Sequence, residues 1–249
     1  METRRPLRIG FIFEGPTDQE TIPVLVAKLL NRPVERIPFN KEAPGFDDFR
    51  RRRQGDNPNL NRAWGMLKSY TIALLIQGAD AVVIVVDNDR EPLHKRWCLL
   101  GRNLPFEYPQ RRIEWVDVSG QAAQCSNLYL TLDSLLDRIL STHQAGAVPI
   151  VIGVAVQMLE AWLLAQPEVV ENVLWDSLSP QDRNRCVTPE AIPHPKNEII
   201  HPHNGGGDLS QGQARQVGEY PGFSPEPIEA ACPSFARFAA DIRVLATIP

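Results

Sequence analysis

Apolar residues along this chain occur in two patterns, short unbroken runs and longer stretches with helical spacing. The runs are Ile9 to Phe13, Ala81 to Val86 and Pro149 to Val156. Runs of this length, rich in Val and Ile, suit strands covered on both faces. Helical spacing is clearest in Ile22, Leu25, Val26, Leu29 and Leu30, and again in Leu128, Leu132, Leu135, Leu136 and Ile139 within 126–144. It is partial over 62–77, where Gly78 is placed as a C-terminal stop, and it returns in a helix expected from about Pro233 with Phe235, Phe238, Ile242 and Leu245 on one face. Thr17-Asp-Gln-Glu20 predicts a capping box opening the first helix, and Pro23 lies deep enough to kink or restart it. Val34 to Phe39 predicts a second, short strand, and Met158 to Ala165 a short helix directly after the third run. Strands alternating with helices imply an α/β fold, a mainly parallel sheet flanked by helices.

Breaks in the pattern set the expected boundaries. Residues 40–61 turn to Gly, Pro, Asp, Asn and Arg, a long loop containing the run Arg50, Arg51, Arg52 and Arg53. Residues 90–119 form an insertion rich in Arg, Pro and Trp, with a basic patch at His94 to Arg96 and a weak strand signal at Ile113 to Val118. Beyond Gln166, prolines divide the chain into short pieces and Gly205 to Gly207 make a hinge. The expected division is a catalytic domain over 1–170 and, over 171–249, a Pro-rich C-terminal extension that wraps the core and ends in a helix.

Composition narrows the function classes. A chain of 249 residues with 43% hydrophobic content can build one large core. A net charge of -4 excludes a generally basic nucleic-acid coat and leaves local basic patches to hold any polyanion. Cys98, Cys125, Cys186 and Cys232 form no C-x-x-C, so neither a zinc site nor a disulfide framework is expected. Glu14 ends the first apolar run too early for a signal peptide, and Pro149, Gln157 and Glu160 interrupt the stretch Ala147 to Ala165, which is too broken for a membrane span. A soluble cytoplasmic protein is the expectation.

The candidate chemistry is acidic. Glu14 follows the first run at once, and Asp87-Asn-Asp89-Arg90 follows the second. In an open parallel sheet both fall at the carboxyl edge, where ligands bind. Glu14, Asp87 and Asp89, converging without an obvious cation between them, would repel unless a divalent metal neutralised them. Hard oxygen ligands favour Mg²⁺ or Mn²⁺, and Glu160 is placed to complete a second metal site. Each signal has a plain structural alternative: a solvated turn for Asp-x-Asp, backbone hydrogen bonding for Glu14, the helix dipole for Glu160. Arg50 to Arg53 and Arg90 are candidate phosphate contacts, or merely solvated. Lys196, in Pro193-His-Pro-Lys196, is a candidate cation for a developing phosphate charge, or a surface lysine. His194, His201, His203 and Asp208 sit in a Pro/Gly setting that favours a loop over a metal cluster. Trp162, Leu163, Leu164, Phe235 and Phe238 are read as core.

The order strand-Glu-Gly-helix, then strand-Asp-x-Asp, resembles the TOPRIM fold shared by topoisomerases, primases and the overcoming-lysogenization-defect nucleases. The details are most similar to small RloB-type TOPRIM-like proteins, often encoded beside an ATPase, through EGPTDQETIPVLVAKLL, VVIVVDNDR, LEAWLLA, PEAIPHPK and CPSFARF. The resemblance implies a TOPRIM-like (Rossmann-like) sheet and a Mg²⁺/Mn²⁺-dependent phosphodiester hydrolase, a nuclease acting on DNA more readily than RNA. It also implies an ATPase partner in defence against phage or mobile DNA. In that setting Glu14 would be the general acid/base or a metal ligand, Asp87 and Asp89 metal ligands, Glu160 a further acidic member, and Asp18 a support from the helix amino terminus. Gly15 would let the backbone approach substrate closely. The Arg-rich loop, the insertion and the Pro-rich tail depart from a minimal domain of this type and leave substrate choice and oligomeric state open. The alternative is a non-catalytic or regulatory partner that binds metal, nucleotide or another protein.

Overall fold

The computed structural model describes residues 5–39, 66, 69–88, 148–156, 159–174, 184, 187–192, 195 and 209–249, with the backbone alone at 86–88, 152, 154, 156 and 191. Its centre is a four-stranded sheet in the order β2-β1-β3-β4, made of β1 (Leu7–Phe13), β2 (Val34–Arg36), β3 (Ala81–Asn88) and β4 (Ile150–Val156). All three pairings are parallel. The expected α/β architecture is therefore present, and the carboxyl ends of the strands lie on one edge. The run after Ala81 extends through Asn88, so Asp87 belongs to the strand and does not follow it. The second strand is shorter than Val34 to Phe39 suggests; beyond Arg36 the pairing continues only as the Ile37 N–H to the Ile9 carbonyl.

α1 (Asp18–Leu30) buries Ile22, Leu25, Val26, Leu29 and Leu30, the residues its spacing selects. Each such burial contributes roughly 1.5–3 kcal/mol. Two expectations about this helix concern its cap and Pro23. No side-chain capping bond forms at Thr17, which already has helical dihedrals (φ -65, ψ -38) that turn its hydroxyl away from the amides a cap must reach. Nor does Pro23 restart the helix, which is one element to Leu30. Proline leaves the Gln19 carbonyl, four residues back, without its helical donor. Arg36 supplies one instead: its Nη1 donates to that carbonyl at 3.1 Å, and its Nη2 to Gln19 Oε1 at 3.1 Å.

Residues 69–76 are helical, and Gly78 stops the helix as expected, with φ +79 and its N–H on the Leu75 carbonyl at 3.0 Å. Residues 62–65, 67 and 68, the helix expected over 126–144 and the strand expected at Ile113 to Val118 lie outside the described residues. α2 (Leu159–Leu164) follows β4, and a helical turn Pro167–Val169 with a π-turn Val170–Leu174 continues from it.

The carboxyl-terminal stretch carries more regular structure than its prolines suggest: α3 (Gln211–Glu219), α4 (Pro225–Ala231) and α5 (Pro233–Val244). Two of these prolines, Pro225 and Pro233, stand at helix starts, where the missing N–H costs nothing. α3 opens with a capping box between Ser210 and Gln213, a Ser-x-x-Gln signal legible in the sequence but not used above. α5 buries Phe235, Phe238, Ala239 and Ile242, and Phe238 sits so close over Gly153 of β4 that an added methyl would stand 2.9 Å from its ring. Residues of α3, α4 and α5 share one buried cluster with the sheet and α1. Arg32 ties the chain's two ends to it, donating to the carbonyls of Arg5, at 2.9 and 2.7 Å, and of Ile248, at 2.7 Å. No helix among the described residues is long and apolar enough to cross a membrane.

Candidate acidic site at the carboxyl edge of the sheet

The first strand ends on Phe13, paired with Val85 of β3, so Glu14 emerges level with Val86 and beside the position of Asp87. Asp87 in turn pairs with Ala155 of β4. Two strand ends thus bring Glu14 and the backbone of Asp87 to adjacent places on one edge. The chain leaving β4 enters α2, whose first turn carries Glu160, only 4% exposed.

Asp18 is the residue that draws this edge together. It is 5% exposed, in the first turn of α1, and its Oδ2 accepts the Gly15 N–H at 3.1 Å. Burial pushes its carboxyl well above the usual carboxylate range; the backbone amides of Gly15 and Glu14 oppose that push, and the negative charges of Glu160 and Glu14 reinforce it. The carboxylates of Glu14, which follows β1, and of Glu160, on α2, therefore both act on the buried Asp18 of α1. The turn at Gly15 is thus held by Asp18, in the place where a threonine cap was expected.

Glu20 bonds to Gln211 at 2.8 Å and to Arg215 at 3.3 Å. Against a burial penalty, those bonds and the charges of Arg215 and Arg36 hold its carboxyl below the usual range. Arg36 itself lies over the Phe13 ring, 5.5 Å from its centre, and is committed to Gln19. At the opposite edge, Asp80 accepts from Arg5 at 2.7 and 2.9 Å and from the Arg8 N–H at 2.8 Å, which ties the start of β1 to that of β3. A groove of about 770 Å³, lined among others by Val24, Lys28, Arg32 and Pro225, runs along α1 and includes none of the clustered carboxylates.

Behind α2 lies a second buried acid that the sequence reading passed over. Glu190, in the short turn Pro189–Ala191, is 8% exposed, and its Oε1 accepts from the Ser234 N–H at 3.2 Å and from the Ser234 hydroxyl. Ser234 Oγ accepts the Trp162 Nε1–H at 2.8 Å. Burial raises the Glu190 carboxyl to about 7, against the opposing hydrogen bonds of Ser234 and Trp162. Cys232, fully buried beside them, has its thiol pushed up by burial and by the Glu190 charge, which makes it an inert thiol. The stretches LEAWLLA, PEAIPHPK and CPSFARF thus meet in one polar contact. Trp162 also packs edge-on against Phe235 at 5.0 Å and stacks on Phe238 at 5.6 Å, consistent with its reading as core.

Of the other candidate residues, Asp89, Arg90, Arg50, Arg51, Arg52, Arg53 and Lys196 lie outside the described residues, as do His194, His201, His203 and Asp208. Among the described residues, no three His, Cys, Asp or Glu side chains are arranged to hold a metal ion. Glu14, Asp18 and Glu160 offer carboxylate oxygens, the ligand type that hard divalent cations take, but as described they are not arranged around one ion. No family model matches the chain, and no curated protein or solved structure matches it.

Proposed function

We propose that the chain is a Mg²⁺- or Mn²⁺-dependent phosphodiester hydrolase of TOPRIM type, a nuclease. The observation that supports this reading is the strand register, which ends β1 and β3 side by side and brings Glu14 and the backbone of Asp87 to one carboxyl edge, where the charges of Glu160 and Glu14 also reach the buried Asp18. Burying like charges together is costly, and a fold retains such an arrangement most readily where a cation is to be bound. Glu14, Asp18, Asp87, Asp89 and Glu160 would hold the ion, which when bound supplies charge neutralisation at the phosphate and a more acidic water. Glu14, half-buried at the mouth of the edge, is the group assigned to carry a proton to or from the reacting oxygen. Arg50 to Arg53, Arg90 and Lys196 supply positive charge for the polyanion, DNA in preference to RNA. Close backbone approach at Gly15 follows from the sequence resemblance alone; an added methyl there would meet only ordinary contacts, 3.8 Å from the Thr17 hydroxyl. An ATPase partner in defence against mobile DNA follows from the sequence resemblance alone.

The test is cleavage of single- and double-stranded DNA and RNA with Mg²⁺, Mn²⁺ or EDTA, by wild type and Asp87→Ala. Metal-dependent cutting that the substitution abolishes supports the nuclease. Wild type that cuts nothing, alone or with a co-expressed ATPase, favours the alternative of a non-catalytic partner protein.

A further inference from the structure

α2 is a helix of only six residues, too short to hold its orientation by its own backbone hydrogen bonds. Yet it carries Glu160, whose charge reaches Asp18. Glu160 and Trp162 are two positions apart, about 200° around the helix axis, so the side that carries the carboxylate is opposed to the side that carries the indole. The indole side is fixed by a directional chain: Trp162 Nε1–H to Ser234 Oγ at 2.8 Å, and the Ser234 hydroxyl and N–H to Glu190 Oε1. Trp162, Ser234 and Glu190 are all buried, so water cannot replace a lost partner without cost. Plain packing would have been served by an apolar residue at 190; a carboxyl adds a fixed direction to the Ser234 donor pair, which an apolar contact does not.

We propose that Glu190 is a positioning residue for the acidic edge: through Ser234 and Trp162 it locks α2 in the orientation that brings Glu160 to Asp18. This rests on the metal-site reading given above. Glu190 touches neither substrate nor ion in this arrangement and acts only through the rotation of α2.

Two measurements on the full chain test it. The first is Mn²⁺ affinity, read from the electron paramagnetic resonance of the free ion. Glu190→Leu and Ser234→Ala, which break the chain at its far end and at its middle link, are expected to weaken binding on the order of tenfold. Glu190→Gln, which keeps the acceptor oxygen, restores affinity to within about twofold of wild type. In a Glu160→Gln background the Glu190→Leu change has no further effect, because the residue it positions is already gone. The second is amide hydrogen exchange over 159–164, expected to accelerate on the order of tenfold in Glu190→Leu and not in Glu190→Gln. Unchanged exchange in Glu190→Leu overturns the lock itself. Faster exchange with unchanged Mn²⁺ affinity, or equal losses with and without Glu160, reduces Glu190 to a structural role and overturns the positioning. A wild type that binds no Mn²⁺ refutes the metal reading and the positioning role with it, and is recognised separately because the exchange result stands on its own.

Discussion

Asp18 and Glu160, held on the helices that follow β1 and β4, share one buried electrostatic environment: burial raises the Asp18 carboxyl, and the charge of Glu160 raises it further. A group whose folded proton affinity exceeds its unfolded one stabilises the fold below its unfolded pKa, and that contribution is lost as pH climbs toward neutrality. Asp18→Asn removes the penalty while retaining an oxygen for the Gly15 N–H. In EDTA at pH 8 the variant is expected to be more stable than wild type by about 1–3 kcal/mol. The stabilisation that wild type gains from added Mn²⁺ should vanish in it. Urea melts with and without the ion measure both; a variant less stable than wild type in EDTA would contradict the repulsion.

Glu190 gives a second, separable pH dependence. Its carboxyl is raised by burial from an ordinary value of 4.5 to about 7. The stability it contributes is complete below pH 4.5 and falls away as pH rises through 7. Glu190→Gln, neutral throughout, should therefore gain on wild type by about 2–3 kcal/mol between pH 4.5 and pH 8. Denaturation midpoints of the pair across that range give the difference directly, and Asp18, present in both proteins, cancels. Parallel curves would place the Glu190 carboxyl back in the ordinary range.

Arg36 and Pro23 form a compensating pair. Arg36→Met leaves the Gln19 carbonyl without either its helical donor or its guanidinium donor, a loss of about 1–2 kcal/mol. Pro23→Ala returns an N–H to that carbonyl, so the same Arg36→Met change should cost less than half as much in the alanine background. A double-mutant cycle on thermal stability reads the coupling. Additive effects would mean that the guanidinium does not compensate for the proline.

Gly218 of α3 faces the backbone of α1, where an added methyl would lie 2.7 Å from the Glu20 carbonyl oxygen. Backbone on both sides cannot yield as a side chain can, so Gly218→Ala should destabilise by about 1–3 kcal/mol despite alanine's better helix propensity. Gly212→Ala, whose nearest neighbour is the Ser210 hydroxyl at 4.0 Å, is the control and should be neutral or stabilising. Urea denaturation of the two variants separates close approach from propensity.

Local chemistry made much of this protein legible in the sequence. Unbroken apolar runs bounded by polar residues allow few alternatives to buried strands, so β1, β3 and β4 and the placement of Glu14 and Asp87 at one sheet edge follow from pattern alone. Gly78 as a stop and Pro233 as a start are equally local, since each follows from what one residue's backbone permits. What failed were readings in which a local rule met a distant partner. Pro23 lies inside a continuous α1, where Arg36, on another element, donates to the Gln19 carbonyl that proline leaves without its helical donor. The Thr17 cap is absent, and the buried Asp18 turns back to the Gly15 amide, where the charge of Glu160 on α2 reaches it. Glu190 drew no notice because nothing in Pro189-Glu-Ala191 signals burial; Trp162 and Ser234, far away in the chain, create it. Sequence alone determined which residues stand at strand ends and helix faces, because backbone sterics and the removal of apolar surface from water act over a few residues. Tertiary structure decided which charges and donors meet, because electrostatic and hydrogen-bond energies depend on distances that the chain settles only when it closes on itself.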